Sequence, residues 1–447
     1  MTWPSSDVST TAMDAGTDTP PRAEIKSWAD KFNQMRNHVS AFVQGLLDDA
    51  SAADARTTLG LVIGTNVLAP NGNGSGLTDL NGSAIATGTV PAARLGSGSP
   101  GSSNYLRGDG TWAAVAAANS NVDGMEVSGS TGTTLSFAAG QCYDSTRSAL
   151  IAVASAYTKT TSAWAVGSGN GGLDEGSIGA SSCYHLYTIR RPDTGVTDYL
   201  ISLANGRTAT VTMTIASPGV VTFTGHGLQP GSGIVFSTTG SLPTGVTAGT
   251  RYYVISAGIT DDTFRFAATQ GGSAINTSGS QSGVHTLVSA PALPSNYTQY
   301  RLITSRYTNG SSQFYGTSQV GDDVTLTTPI LDVSTTSAFT SATLRYLSCP
   351  SGYSVLARGN ALWRCDNAGS VVYLSNPAQT DSTPSTTAAP LGNEVAGVGD
   401  VSGCIWAWQC RTGTVRQIRS RHDSTGSPTS YNFRLTLAGW TCDRRTL

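Results

Sequence analysis

Near the start of the chain the apolar positions fall at Ile25, Trp28, Phe32, Met35, Val39, Phe42 and Leu46, an unbroken alternation of three- and four-residue steps. On a helix that spacing draws one narrow stripe. A helix lying on its own core shows a wider stripe, whereas strict occupancy of the two seam positions of a heptad keeps contact with a supercoiling partner. Pro20 and Pro21 just upstream suit a first helical turn. The pattern predicts a coiled coil over 22–50. Its a positions hold Ile25, Phe32, Val39 and Leu46 and its d positions Trp28, Met35 and Phe42, so the dimer-favouring β-branched a with leucine d is missing. Aromatic bulk asks for a roomier core, and a parallel homotrimer is the expected assembly.

The pattern then changes. Ser51 is placed to cap a short alanine-rich helix that stops near Gly60. From Asn71 to Asn104 the text is Gly, Ser, Asn and Thr with isolated apolar residues at Leu77, Leu80, Ile85, Val90 and Leu95. Alone it buries little. Wrapped around two further copies it would form an intertwined shaft, with a flexible linker as the competing expectation.

Beyond Trp112 the period becomes two, with strands expected at Thr133–Phe137, Leu150–Ala154, Tyr184–Arg190, Tyr199–Leu203 and Tyr300–Thr304. Between the last two lies a self-contained block, Gly206–Leu287. Its strand signals are Thr208–Ile215, Val220–Phe223, Gly233–Phe236, Arg251–Ile255 and Thr263–Ala267, separated by Gly and Pro turns. It reads as a small β module inserted into a host domain. The last third continues at Leu344–Leu347, Gly369–Leu374, Cys404–Cys410, Thr414–Arg419 and Tyr431–Leu437. Alternation puts Cys404, Trp406, Trp408 and Cys410 on one strand face, a core face, and a terminal β-sandwich is the economical reading. The expected class is mainly β: coiled coil, shaft, then sandwich-like domains with one insertion.

Composition narrows the function. The charged fraction is 12% and the formal net charge −2, so the cationic footprint of nucleic-acid binding is missing. With 38% apolar residues the chain is expected to fold. No apolar run reaches a membrane span, and Met1–Pro21 lacks a secretion signal. The seven cysteines, odd in number and without a CxxC pair, read as buried free thiols in a reducing cytosol.

Several stretches resemble bacteriophage tail-fibre proteins: ADARTTLGL at Ala53–Leu61, LTDLNGSAIATGTVPAARL at Leu77–Leu95 and YLRGDGTWA at Tyr105–Ala113. CYHLYTIRRPDTGVTDYLIS at Cys183–Ser202, resumed by PALPSNYTQYRLITS at Pro291–Ser305, is similar to a β domain of phage tail proteins. TFTGHGLQPGSGIVF and RYYVISAGITDDTFRFA in the inserted block resemble a phage module likened to a β domain of ubiquitin-activating enzymes. YLSNPAQTDSTPSTTAAPL at Tyr373–Leu391 and the final LAGWTCDRR resemble a terminal domain of the same group.

The resemblance implies a virion protein made in the bacterial cytoplasm and carried on the phage tail. Its expected plan is a virion-anchoring segment at 1–21, coiled coil at 22–50, shaft at 51–117, and a discontinuous β domain at 118–205 and 288–323. The inserted module then spans 206–287 and the terminal sandwich 324–447. Expected partners are two further copies of the chain, tail or baseplate proteins at the N-terminal segment, and a host surface glycan or protein. Neither nucleic acid nor membrane insertion is expected.

Catalytic chemistry finds little to stand on. The five histidines stand in no metal-ligand spacing, and neither a GxSxG elbow nor a phosphate-binding loop occurs. No cofactor or metal is expected. His226 in the GHG turn is expected to point an imidazole into solvent, and the RGD of Arg107–Asp109 reads as a turn. A capsule depolymerase would need two carboxylates across a sugar; the glutamates are only Glu24, Glu126, Glu175 and Glu394, while Asp261-Asp262 and Asp322-Asp323 are pairs typical of turns. A fibre without enzymatic activity is therefore expected, with a collar, baseplate or head-decoration fibre and a depolymerase as alternatives. Rings and guanidiniums of the terminal domain are the candidate glycan contacts: Trp363, Tyr373, Arg416, Arg419, Arg421, Tyr431 and Trp440. The competing expectation is that the rings are core and the guanidiniums solvated.

Overall fold

The computed structural model describes residues 22–38, 41–61, 95–98, 104–114, 122–366, 370–385, 394–397, 404–423 and 430–445. The class is mainly β. The chain divides into two compact units, 1–114 and 115–447.

In the first unit, helices run over Arg22–His38 and Ala41–Asp48. Trp28, Phe32 and Met35 of the heptad stripe are 75%, 41% and 54% exposed, and Ile25 and Leu46 are half-buried. Val39 and the Phe42 side chain lie outside the described residues. A third helix, Ala52–Thr58, begins where Ser51 Oγ accepts the Asp54 amide at 3.2 Å. It ends in a Schellman turn, with Leu61 N–H on Arg56 O and Gly60 N–H on Thr57 O, and Gly60 takes a φ of +70°. The shaft expectation falls largely on residues 62–94, outside the described set. Asn104–Leu106 pairs antiparallel with Trp112–Ala114 around the RGD turn, which Asp109 closes by accepting Thr111 N–H and Oγ1–H.

The second unit holds three bodies. The host body has a seven-stranded sheet ordered Gln299–Tyr307, Cys183–Arg190, Thr197–Ser202, Gly171–Leu173, Tyr157–Ala163, Thr134–Phe137, Val127–Ser128. A three-stranded sheet of Asp123–Gly124, Gly140–Tyr143 and Leu150–Val153 completes the body. Leu135, Phe137, Ile151, Tyr184, Leu186, Tyr199 and Ile303 share the core between the two sheets. The opposite face of the large sheet is also covered, by Tyr187, Ile189, Leu200 and Tyr297. Cys183–Ile189 is consequently buried throughout, the polar His185 and Thr188 included, in place of one-sided alternation.

The inserted body is a sheet ordered Thr263–Phe264, Val221–Thr222, Thr208–Met213, His285–Val288, Gly233–Thr238, Arg251–Val254, Phe266–Ala267. Its two end strands are consecutive in sequence, so the segment Thr263–Ala267 joins both edges and closes a small barrel around Val221, Ile234, Phe236, Phe264, Phe266 and Leu287. The chain enters from Thr197–Ser202 and leaves to Gln299–Tyr307, the two strands that flank Cys183–Arg190.

The terminal body packs a five-stranded sheet (Thr317–Val320, Asp323–Thr335, Tyr431–Thr441, Leu356–Cys365, Cys404–Arg411) on a four-stranded one (Thr343–Tyr346, Gln417–His422, Val371–Ser375, Glu394–Gly397). Trp363, Val372, Leu374, Trp408, Ile418, Phe433 and Trp440 form the common core. Trp408 and Cys410 face that core and Trp406 packs against it; the Cys404 side chain is not among those described. The sandwich begins earlier in the chain than expected, at Thr317.

The three bodies are joined by buried polar side chains. Arg306, 1% exposed, donates to Val127 O, Thr317 Oγ1 and Gln319 Oε1. Arg444, equally buried, reaches from the end of the sandwich into the host body and donates to Met125 O at 3.0 Å and Ile303 O at 3.1 Å. The barrel is held on the host side by Glu175, which accepts from Arg251 and Tyr253, and by Gln229, whose amide pairs both ways with the Cys183 backbone. On the sandwich side Asp261 accepts from Tyr346 Oη and Gln417 Nε2, and Thr414 Oγ1 donates to Gly225 O.

Candidate functional site

The terminal body does not present the expected glycan contacts as one surface. Trp363 and Trp440 are fully buried and Tyr373 is 4% exposed, so their faces are spent on the core. Tyr431 is half-buried against Trp363 and His422. The guanidiniums are tied down locally. Arg419 donates to the carbonyls of Pro377 and Gln379, Arg421 to Thr340 O and Asp381, and Arg416 to Leu347 O while lying over the rings of Tyr307 and Tyr346. Strand alternation fixes that a ring lies on a face without saying which face is covered, and Trp363, Tyr373 and Trp440 lie on covered faces.

Other expected groups are likewise committed. His226 is buried, contrary to the solvent-facing imidazole expected of the GHG turn: both flanking glycines take positive φ, the ring turns inward, and Nδ1 accepts Leu228 N–H at 2.9 Å. Asp262 accepts the Gly225 amide, Asp322 accepts Arg444 N–H, and Asp323 pairs with Arg358. Cys142, Cys183, Cys349, Cys365, Cys410 and Cys442 are free and buried; burial pushes the Cys142 thiol up to about 12 and Cys442 to about 11. Among the described residues no group of three His, Cys, Asp or Glu is placed to hold a metal ion, and no helix is long and apolar enough to cross a membrane.

Where the three bodies meet, a cleft of about 230 Å³ opens between Tyr187, Tyr300 and Tyr353, with Asn205, Arg207 and Arg301 completing the wall. Tyr187 and Tyr300 stand edge to face at 6.0 Å. Five polar side chains of the wall are held by hydrogen bonds of their own. Tyr187 Oη donates to Ala204 O, Tyr353 Oη to Ser305 Oγ, and Asn205 Nδ2 to His226 O. Arg207 lies over the Phe223 ring at 4.5 Å and donates to Gly225 O, while Arg301 Nη2 donates to Arg445 O at 3.0 Å. Burial lowers both guanidiniums from their ordinary value. Two larger clefts differ in charge. One of about 360 Å³ contains Asp261, and one of about 450 Å³ sets Asp322 and Asp443 against Arg411 and Arg445. Ring faces and guanidiniums therefore do converge, but at a junction drawn from three bodies. Sequence reading could not assemble it because its residues lie as far apart as Tyr187 and Tyr353.

No family model matches the chain. No curated protein matches it. Among solved structures, one titled "Structure of infectious bursal disease virus Gx strain" is similar at 12% identity, covering 72% of this chain and 67% of that chain with a TM-score of 0.14. At that score the likeness carries no argument about fold or function.

Proposed function

We propose that the chain is a non-enzymatic bacteriophage tail fibre that works as a homotrimer and attaches the particle to the host surface. The observation that carries this reading is the heptad stripe. Trp28 and Met35 sit at seam spacing on one helix and are more than half exposed in the single chain. Large side chains repeated at that spacing lose their hydrophobic gain unless a partner helix covers them. In this reading residues 1–21 meet tail or baseplate proteins, and the β bodies that follow in the chain meet a host glycan or protein. Light scattering on the whole chain tests the assembly. The expected mass is three times that of the 46.0 kDa chain, and Phe32→Asp is expected to dissociate it by placing a charge in the seam. A monomeric wild type at micromolar concentration would end the reading.

An architectural collar, baseplate or head-decoration fibre is the second reading. The burial of Trp363, Tyr373 and Trp440 favours it, since that burial removes the expected sugar-binding rings from the surface. Adsorption separates the two. An attachment fibre added in excess slows phage adsorption to susceptible cells, and an architectural one leaves it unchanged.

A further inference from the structure

The cleft of about 360 Å³ lies on the seam between barrel and sandwich, with Asp261 contributed by the barrel and Tyr346 and Arg416 by the sandwich. Its charge is balanced. Among the described lining residues only Asp261 and Arg416 are ionised, since burial lowers the His226 imidazole and keeps it neutral. Asp332 lies within electrostatic reach of Arg416, but it is tied to Ser348 and does not line the cleft. One charge of each sign draws neither anions nor cations on balance. The ligand that suits such a wall is neutral and rich in groups that both donate and accept.

Each of the three side chains is fixed in place by the fold. Asp261 accepts Tyr346 Oη at 3.0 Å and Gln417 Nε2 at 2.8 Å, and the remaining lone pairs of a carboxylate are free to accept hydroxyls. Arg416 Nη1 donates to Leu347 O at 2.7 Å, and its guanidinium lies over the rings of Tyr307 and Tyr346 at 5.1 Å and 5.5 Å. A φ of +58° holds Arg416 in this position, a conformation that costs free energy for any residue with a Cβ. Tyr346 ends the edge strand Thr343–Tyr346 and is still 48% exposed, so ring surface is left open beside the guanidinium. Groups held in this way contact a ligand at little entropic cost.

We propose that this cleft binds one neutral hexopyranose, its hydroxyls shared between Asp261 and Arg416 and its C–H face packed on Tyr346. Adjacent hydroxyls donate to the carboxylate and accept from the guanidinium, while the apolar face of the sugar is covered by the ring. A zwitterion such as an amino acid matches the two charges but leaves the ring bare, and the ring decides between them. The volume, at the small end of ligand clefts, suits a single sugar residue. The proposal names the ligand of the attachment reading and rests on that reading for its biological role.

The test is calorimetric titration of the full-length protein with the methyl α-glycosides of glucose, mannose and galactose, and with glycine and sodium acetate at the same ionic strength. At least one glycoside is expected to bind saturably, with glycine and acetate each weaker by about tenfold or more. Tyr346→Leu should weaken that glycoside by about tenfold, and Tyr346→Phe, which keeps the ring, by only about threefold or less. Asp261→Asn should weaken it by about tenfold; if that variant does not fold, the two Tyr346 variants carry the test from an exposed edge position. Glycine or acetate equal to the best glycoside would overturn the sugar assignment, equal losses for the leucine and phenylalanine variants would overturn the ring contact, and no saturable glycoside would overturn the site. Adsorption competition runs in parallel. A protein that competes while the titration is silent leaves attachment standing and rejects this cleft, while a positive titration without competition keeps the cleft and rejects attachment.

Discussion

Lys159 Nζ stands 2.9 Å from Asp198 Oδ1 with neither side chain exposed. The ammonium also donates to Ala165 O, Gly167 O and Gly171 O, under the rings of Tyr157 and Trp164. Asp198 takes the amides of Tyr199 and Gly167. Lys159→Met should therefore leave a buried carboxylate without its cation and cost about 3–5 kcal/mol in urea unfolding. Lys159→Met/Asp198→Leu should recover much of that loss, because removing both charges removes the desolvation cost with them. A single variant as stable as wild type would show that water reaches the pair.

The acid limb of the stability curve should be steep. Burial pushes the His185 imidazole down to about 3 and also lowers His226 and His422. Below the ordinary imidazole value of 6.5 the unfolded chain takes up protons that the native one refuses. Stability from these groups is complete above 6.5 and falls as pH drops toward 3. His185→Gln should flatten this slope in melting scans from pH 7 to 4; an unchanged slope would show that the imidazole titrates freely in the fold.

Asp174 has the opposite sign. Burial raises its carboxyl to about 6, so the native chain holds a proton between about 4 and 6 that the unfolded chain has released. The contribution is present below 4 and is lost as pH rises through 6. The melting temperature of Asp174→Asn relative to wild type should accordingly improve from pH 4 to pH 7. A difference that stays flat with pH would contradict the raised value.

Gly227 tests the joint between barrel and sandwich. Its φ is +59°, and a Cβ there would stand 2.3 Å from Gly352 N and 2.7 Å from Thr414 O. Gly249 has a φ of +75° and open space around it. Both alanine variants bear the backbone penalty, of order 1 kcal/mol, but Gly227→Ala must also move the sandwich backbone and should cost about 2 kcal/mol more. Equal melting temperatures for the two variants would mean that the barrel is loosely attached.

Much of the β architecture was legible because alternation is a local signal. Thr133–Phe137, Thr208–Ile215 and Arg251–Ile255 fall on observed strands with their ends shifted by a residue or two. What escaped depended on distant partners. His285–Val288 is short and polar at one end, yet it is the strand that joins Thr208–Met213 to Gly233–Thr238. The last-third signal at Thr414–Arg419 was displaced because Arg416 takes a φ of +58° in the turn before Gln417–His422. Lys159 gave only a faint cue, as one of the few lysines and the one set in a strand. The junction cleft gave none, since nothing in the local text around Arg207 or Tyr353 shows that they meet.

The guanidinium of Arg444 has a consequence for how fast the protein folds. It caps the Met125 carbonyl from 319 positions later in the sequence, and Arg306 reaches the Val127 carbonyl across 179. Loop-closure entropy must be met before either contact repays it, and chains whose contacts are so distant fold slowly. The host body's strands are thus made early but completed late, and a nascent chain must wait for its final strand before its first sheet is sealed. The same contacts delay the reverse process: unfolding has to withdraw both guanidiniums from their carbonyls, so the folded chain gains persistence in time as well as in equilibrium.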